Sequence, residues 1–340
     1  MKAVILNGKQ DVSLGEFTTP ELLPGTVKVK VAYCGICGSD IHKYEGKQNT
    51  RPIKYPVPLG HEISGVVDAV ASDVTDFKVG DRVTVDPNWS CGKCKYCKDG
   101  KTSYCENSRG VVKGMAEFVV SPCENVYHIP THVTLRNAAL AEPLACCLHG
   151  IDLLGIRQGE KVALVGYGAI GEIMLALIKS AGAGEIIVVE PNESKRERAL
   201  EKGATRFVSP LDEEAVNDIC ATVCIDRVVE CVGNRAAQKT ALKIAGKGAT
   251  VVFFGVSDAA ETLDFSVYDA FIKELTIKTS YVNPHTTARA VGLLGSGAID
   301  GDDLIYKDIS MEEAIEEIRK PNHIRNGKVL VRINEDIVEK

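Results

Sequence analysis

The sequence predicts an α/β protein in two parts, a doubly wound parallel sheet joined to a second, mostly β part. Three observations predict this. From Lys161 onward, apolar segments of strand length alternate with helical segments in regular order. The first ~145 residues instead hold short alternating segments separated by turns. Directly after the segment KVALV, Gly166, Gly168 and Gly171 form G-x-G-x-x-G at a strand-to-helix junction.

Taken in order, MKAVILNGKQ reads as a first strand. Its apolar part is too short for a signal peptide, and no small-residue cleavage site follows. KVKVAYCG, ISGVVDAV, RVTVD and AEFVVSP read as strands, with Pro20, Pro24, Pro52, Pro56 and Pro58 punctuating the loops. The texture changes near Gly150. KVALV, EIIVVE, RFVS, IDRVVEC, ATVVFFG and LTIKTSYV read as strands, with helices such as AIGEIMLALIKSAG and KRERALEKG between them. Two sets of three strands suit a doubly wound sheet that binds a dinucleotide. After Asn283 and Pro284 the pattern breaks. ARAVGLLGSG and MEEAIEEIRK read as helices and GKVLVRI as a last strand. A chain of 340 residues holds about two full cores. The expected domains are residues 1–148 with 284–340, and residues 149–283.

Composition narrows the function. The net charge of −6 argues against nucleic acid, which needs clustered cations to displace counterions. Lys320, Arg325, Lys328 and Arg332 are too sparse to change that. No apolar run is long enough to cross a bilayer, so no membrane partner is expected. Twelve cysteines without a signal peptide fit a reducing compartment, expected to be the cytoplasm, and metal binding better than a disulfide framework.

Four of those cysteines, Cys91, Cys94, Cys97 and Cys105, follow C-x2-C-x2-C-x7-C on a polar loop. Thiols crowded this closely call for a metal or a disulfide; a tetrahedral Zn²⁺ with no open position suits the spacing. Such a closed site holds a fold together and does no chemistry.

In the glycine motif, Gly166 permits the tight turn, Gly168 lets the backbone approach a pyrophosphate, and Gly171 lets the helix pack close. Ile170 stands between them in the helix's first turn. The helix start offers free N–H groups to phosphates. The next strand ends in Glu190, whose carboxylate suits the ribose hydroxyls of NAD and repels the 2′-phosphate of NADP. Lys195 either flanks that ribose or is a solvated charge at a helix start.

A second donor set is spread more widely: Cys37 in GICGSD, His61 and Glu62 in PLGHEISG, and Glu142 in AEPLACCLHG. A thiolate, an imidazole and one or two carboxylates suit Zn²⁺, and three protein ligands leave a place for water or substrate.

The order GICGSD, LGHE, C-x2-C-x2-C-x7-C, EPL and G-x-G-x-x-G resembles the zinc-dependent medium-chain dehydrogenases along essentially the whole chain. EPL and Glu62 are closer to the polyol (sorbitol-type) and threonine dehydrogenase branches. The resemblance implies a Rossmann-type domain beside a GroES-like catalytic domain, and two zinc ions per chain. It implies Cys37, His61 and Glu62 as catalytic-zinc ligands, with Glu142 an alternating ligand or one that supports the others. Cys146 is the competing candidate for Glu142's place. Cys91, Cys94, Cys97 and Cys105 are the implied structural-zinc ligands.

The implied reaction is reversible hydride transfer between NAD and a secondary alcohol of a polyol, sugar alcohol or sugar-alcohol phosphate, with zinc as Lewis acid. Ser39 and His42 match the positions that relay the hydroxyl proton outward; Asp40 is expected to orient ligands. A threonine- or butanediol-type dehydrogenase is the alternative, and a catalytically silent zinc- and NAD-binding member a further one. The implied partners are a small-molecule alcohol or ketone and further copies of the chain, as a homodimer or homotetramer.

Overall fold

The computed structural model describes residues 1–47, 53–320 and 327–338. Pro52 and Arg325, named above, lie outside them. Two compact units divide the chain. One holds Met1–Ala145 and the described residues from Val282 onward apart from Gly327; the other holds Cys146–Tyr281. The division thus falls at 145/146 and 281/282, against the expected 148/149 and 283/284.

The first unit is mostly β. Its largest sheet runs Val126–His128, Arg82–Val85, Glu62–Val70, Thr26–Gly35, Lys328–Arg332, Ile305–Ile309, with Phe118–Pro122 also paired to Thr26–Gly35. Alternation in TVKVKVAYCG sends Val27, Val29 and Val31 into a core shared with Ile63, Val67, Val83, Val119 and Val331. A smaller sheet joins Lys2–Gly8, Asp11–Glu16 and Val57–Pro58. The strand Ile305–Ile309 was not legible in the sequence. IYKDI breaks its apolar pattern with Lys307, whose Nζ bonds Glu317 Oε2 at 3.0 Å.

The second unit carries a six-stranded, all-parallel sheet. Its spatial order is Arg206–Val208, Glu185–Val189, Lys161–Val165, Arg227–Glu230, Thr250–Phe253, Thr276–Thr279. Numbered along the chain, that order is 3-2-1-4-5-6, the doubly wound arrangement of a dinucleotide-binding domain. Val162–Val165 and Ile186–Val189 are buried throughout, as central strands covered on both faces must be. The order reverses beside Lys161–Val165, and the glycine-rich turn leaves the carboxyl end of that strand. No helix among the described residues is long and apolar enough to cross a membrane.

Candidate functional site

The four-cysteine loop folds around a short helix, Lys95–Lys98, with Cys94 at its N-cap. The Sγ atoms of Cys91, Cys94, Cys97 and Cys105 all lie within 4.8 Å of one another. Cys91 Sγ accepts the N–H groups of Lys93 and Cys94, both at 3.4 Å, and Asn107 Nδ2 at 3.6 Å. Those donors hold its pKa down at about 6. Desolvation and the neighbouring thiols push Cys97 up instead. Four thiolates at this separation repel one another unless a cation lies among them. Four soft donors, one already steered to the thiolate form, fit Zn²⁺.

The second donor set comes from one pair of strands. Gly35, at the end of Thr26–Gly35, is paired with Glu62, at the start of Glu62–Val70. This sets Cys37, two residues beyond, beside His61 and Glu62; ligand atoms of the three lie within 4.8 Å of one another. Cys37 caps the helix Gly38–Glu45. Asp40, fully buried in its first turn, fastens the two segments together. Its Oδ2 accepts Cys37 N–H at 3.2 Å, its Oδ1 accepts Gly60 N–H at 3.1 Å, and His61 Nδ1 lies 3.8 Å away. Burial disfavours a charged His61, but Cys37, Asp40 and Glu142 outweigh it and lift its pKa to about 10. One thiolate, one imidazole and one carboxylate fit an open zinc site.

Glu142 lies in the first turn of the helix Ala141–Leu154 and is buried, but it is not part of the three-donor cluster. It stands within electrostatic reach of His61, Glu62 and Asp86, and burial first, then Glu62 and Asp86, raise its pKa to about 7. Cys146 follows one turn later on the same helix. Ser39 and His42 lie half-buried on the helix that Cys37 caps.

Two parts of this surrounding escaped the sequence reading. Lys328, buried on the last strand, donates from Nζ to Glu62 Oε1 at 2.7 Å. Asp86 accepts Asn88 N–H at 2.8 Å and Thr287 Oγ1–H at 3.0 Å, while Thr286 donates to Ala145 O at 2.7 Å. This network pins the helix that carries Glu142. Neither could be found locally, since both join segments that only the fold brings together.

In the second unit, Gly166 has φ +93°, and a Cβ there would lie 2.4 Å from Val232 Cγ2. A Cβ on Gly171 would lie 2.3 Å from Gly166 O, so helix and turn touch where no side chain fits. Gly168 instead faces open space at the N-cap of the helix Ala169–Ser180, with Ile170 half-buried in its first turn. That leaves backbone N–H groups for a pyrophosphate. Glu172 would oppose an anion there, but Arg198 neutralises it through two bonds of 2.7 and 2.9 Å. Glu190 is buried, accepting Tyr167 N–H at 2.8 Å and Asn192 N–H at 3.1 Å. Lys195 is no solvated charge. Its Nζ donates to Tyr167 O at 2.7 Å and stands 4.0 Å from Glu190 Oε2. Glu230, at the end of the neighbouring strand, holds its own turn by accepting Val232 and Gly233 N–H at 2.6 and 2.7 Å. These glycines, the open space at Gly168 and the strand-end acid fit a nicotinamide dinucleotide.

Comparison with known proteins agrees with both parts. Residues 23–131 match the alcohol dehydrogenase GroES-like domain, and residues 169–296 match the zinc-binding dehydrogenase domain. The chain is 29% identical to the sorbitol dehydrogenase of Bacillus subtilis, over 98% of each chain. It is 31% identical to the D-arabitol-phosphate dehydrogenase of Enterococcus avium, over 96% of this chain and 95% of that one. Among solved structures it is similar to a protein of Sinorhizobium meliloti 1021, described as a zinc-binding dehydrogenase and bound to NADP. The TM-score is 0.91 and the identity 37%, over 97% of this chain and 98% of that one. The chain belongs to the zinc-containing medium-chain alcohol dehydrogenase family.

Proposed function

We propose that this protein is a zinc-dependent polyol dehydrogenase that passes hydride between NAD and a secondary alcohol of a sugar alcohol or its phosphate. The observation that carries this is the Cys37–His61–Glu62 cluster in a chain that also holds a closed four-cysteine loop and a dinucleotide turn. Zinc held by Cys37, His61 and Glu62 supplies Lewis acidity that lowers the pKa of the alcohol. Asp40 orients Cys37 and His61. Ser39 and His42 carry the hydroxyl proton outward, along one helix whose start is fixed by Cys37. Glu142 stands by as an alternating ligand. Gly166, Gly168, Ile170 and Gly171 receive the dinucleotide, and Glu190 with Lys195 reads its adenosine ribose in favour of NAD.

The test is a screen of sorbitol, xylitol, arabitol phosphate, galactitol phosphate, butanediol and threonine with NAD⁺, following NADH absorbance. A polyol or polyol phosphate should give the highest kcat/KM. Preference for threonine or butanediol would overturn the substrate class, and no turnover with any of them would favour a silent member.

We further infer that the protein assembles through its second unit with another copy of itself. The sheet's end strand, Thr276–Thr279, pairs only with Thr250–Phe253 among the described residues and is exposed along its length. Beside it the helix Val267–Lys273 exposes Val267, Tyr268 and Phe271, each at least 70% accessible. An open edge next to an apolar helix is self-complementary across a two-fold axis. Twelve cysteines, four of them gathered as metal donors, support a reducing compartment, and we place the protein in the cytoplasm.

A further inference from the structure

Lys328 touches both chain segments that carry the open donor set. Its Nζ donates to Glu62 Oε1 at 2.7 Å, lies 2.6 Å from Glu62 Oε2, and donates to Ile36 O at 2.9 Å. Ile36 O belongs to the peptide that leads into Cys37. The Lys328 and Glu62 side chains are 3% and 1% exposed, so water screens neither. The contact is built closely. A Cβ on Gly35 would stand 2.0 Å from Glu62 Oε2, so a glycine is required opposite the acid. Set within 2.9 Å of two carboxylate oxygens and a carbonyl oxygen, Nζ is held as the cationic donor of an ion pair.

A fixed ammonium beside a donor repels any cation brought to that donor. We propose that Lys328 is a positioning residue of this centre, fixing the Glu62 carboxylate while holding the site's grip on its metal below what the donors alone would give. The proposal rests on reading Cys37, His61 and Glu62 as metal donors.

The test is Co²⁺ titration of the metal-stripped full chain against a competing chelator, with thermal unfolding followed in parallel. Lys328→Met should bind Co²⁺ at the open site at least about tenfold more tightly than the parent, although its fold is less stable. Lys328→Arg, which keeps the charge, should stay near the parent. A Lys328→Met affinity equal to or below the parent's would overturn the proposal, because a purely structural lysine predicts that result. If Lys328→Met does not fold, the neutral pair Lys328→Met with Glu62→Gln replaces it. That pair should bind more tightly than Glu62→Gln alone, and equal or weaker binding overturns the proposal. A parent that takes up Co²⁺ only at the four-cysteine loop would overturn the underlying reading of the donors as well.

Discussion

Tyr167 N–H donates to Glu190 Oε2 at 2.8 Å, fastening the inside of the glycine-rich turn to the acid that ends the next strand. Lys195 closes the same link from the other side, through Tyr167 O. The residue proposed to read the ribose thus also shapes the turn proposed to receive the phosphates. A change at Glu190 should be felt at both.

Glu190→Ser should therefore lose NAD⁺ affinity by about 10- to 100-fold, the scale of one or two hydrogen bonds to a charged acceptor. Its preference over NADP⁺ should narrow only modestly. Arg196 is held by Glu193 and Arg198 by Glu172, so neither cation stands ready for a 2′-phosphate. The check is kcat/KM with both cofactors for parent and variant. A parent that favours NADP⁺ would show that Glu190 does not set the choice.

Metal analysis should find two Zn²⁺ per chain. A mild chelator should empty the Cys37–His61–Glu62 set first, because a site with an open position exchanges more readily than one closed by four thiolates. Activity should then vanish while the circular dichroism spectrum persists. One tightly held zinc in an active protein would contradict the two-centre assignment.

Cys97→Ser removes one donor from the closed loop, where binding free energy is folding free energy. The midpoint of thermal unfolding should fall by at least about 5 °C, roughly 2 kcal/mol for units of this size. NADH affinity, measured by fluorescence, should change little. Unaltered thermal stability would mean that the four thiols hold nothing.

Acid stability should depend on Glu160. Arg227 donates to both its carboxylate oxygens at 2.8 Å, which holds its pKa below the ordinary glutamate value. A depressed folded-state pKa stabilises the protein above the unfolded-state pKa, and that contribution is lost as pH falls through the folded value. Denaturant titrations should show the parent losing stability below about pH 4.3, the unfolded glutamate value. Glu160→Gln should be less stable at neutral pH and flatter on the acid side. Parallel curves for the two proteins would remove this pair from the acid response.

Phe271→Glu places a charge on the most exposed part of the helix beside the open sheet edge. Sedimentation should show the parent as a dimer or larger and the variant shifted toward monomer. If both sediment alike, copies of the chain meet elsewhere.

Much of this was legible in the sequence because the chemistry is packed into short strings. The four-cysteine loop, the glycine turn and the strand-helix alternation each declare themselves within a few residues. What was hidden joins distant residues. Lys328 reads as one more sparse surface cation, yet it is buried against an acid 266 residues earlier. Lys195 balanced two readings in sequence, and only its bond to Tyr167 O removes the solvated one. Asp86 carries no motif, and its contacts come from Asn88 on one side and Thr287 on the other.

The strand Thr26–Gly35 lies between Glu62–Val70, which precedes the second unit in the chain, and Lys328–Arg332, which follows it. On the ribosome, the whole dinucleotide-binding unit emerges before Lys328 does. The first unit must wait with the Tyr33–Gly35 end of its central strand uncovered on one side and with Glu62 lacking its ammonium. The four-cysteine loop, contained in fifteen consecutive residues from Cys91 to Cys105, faces no such delay. The order of synthesis thus lets the four cysteines come together before the strand Lys328–Arg332 exists, whereas Glu62 gains its ion pair only once that strand has docked.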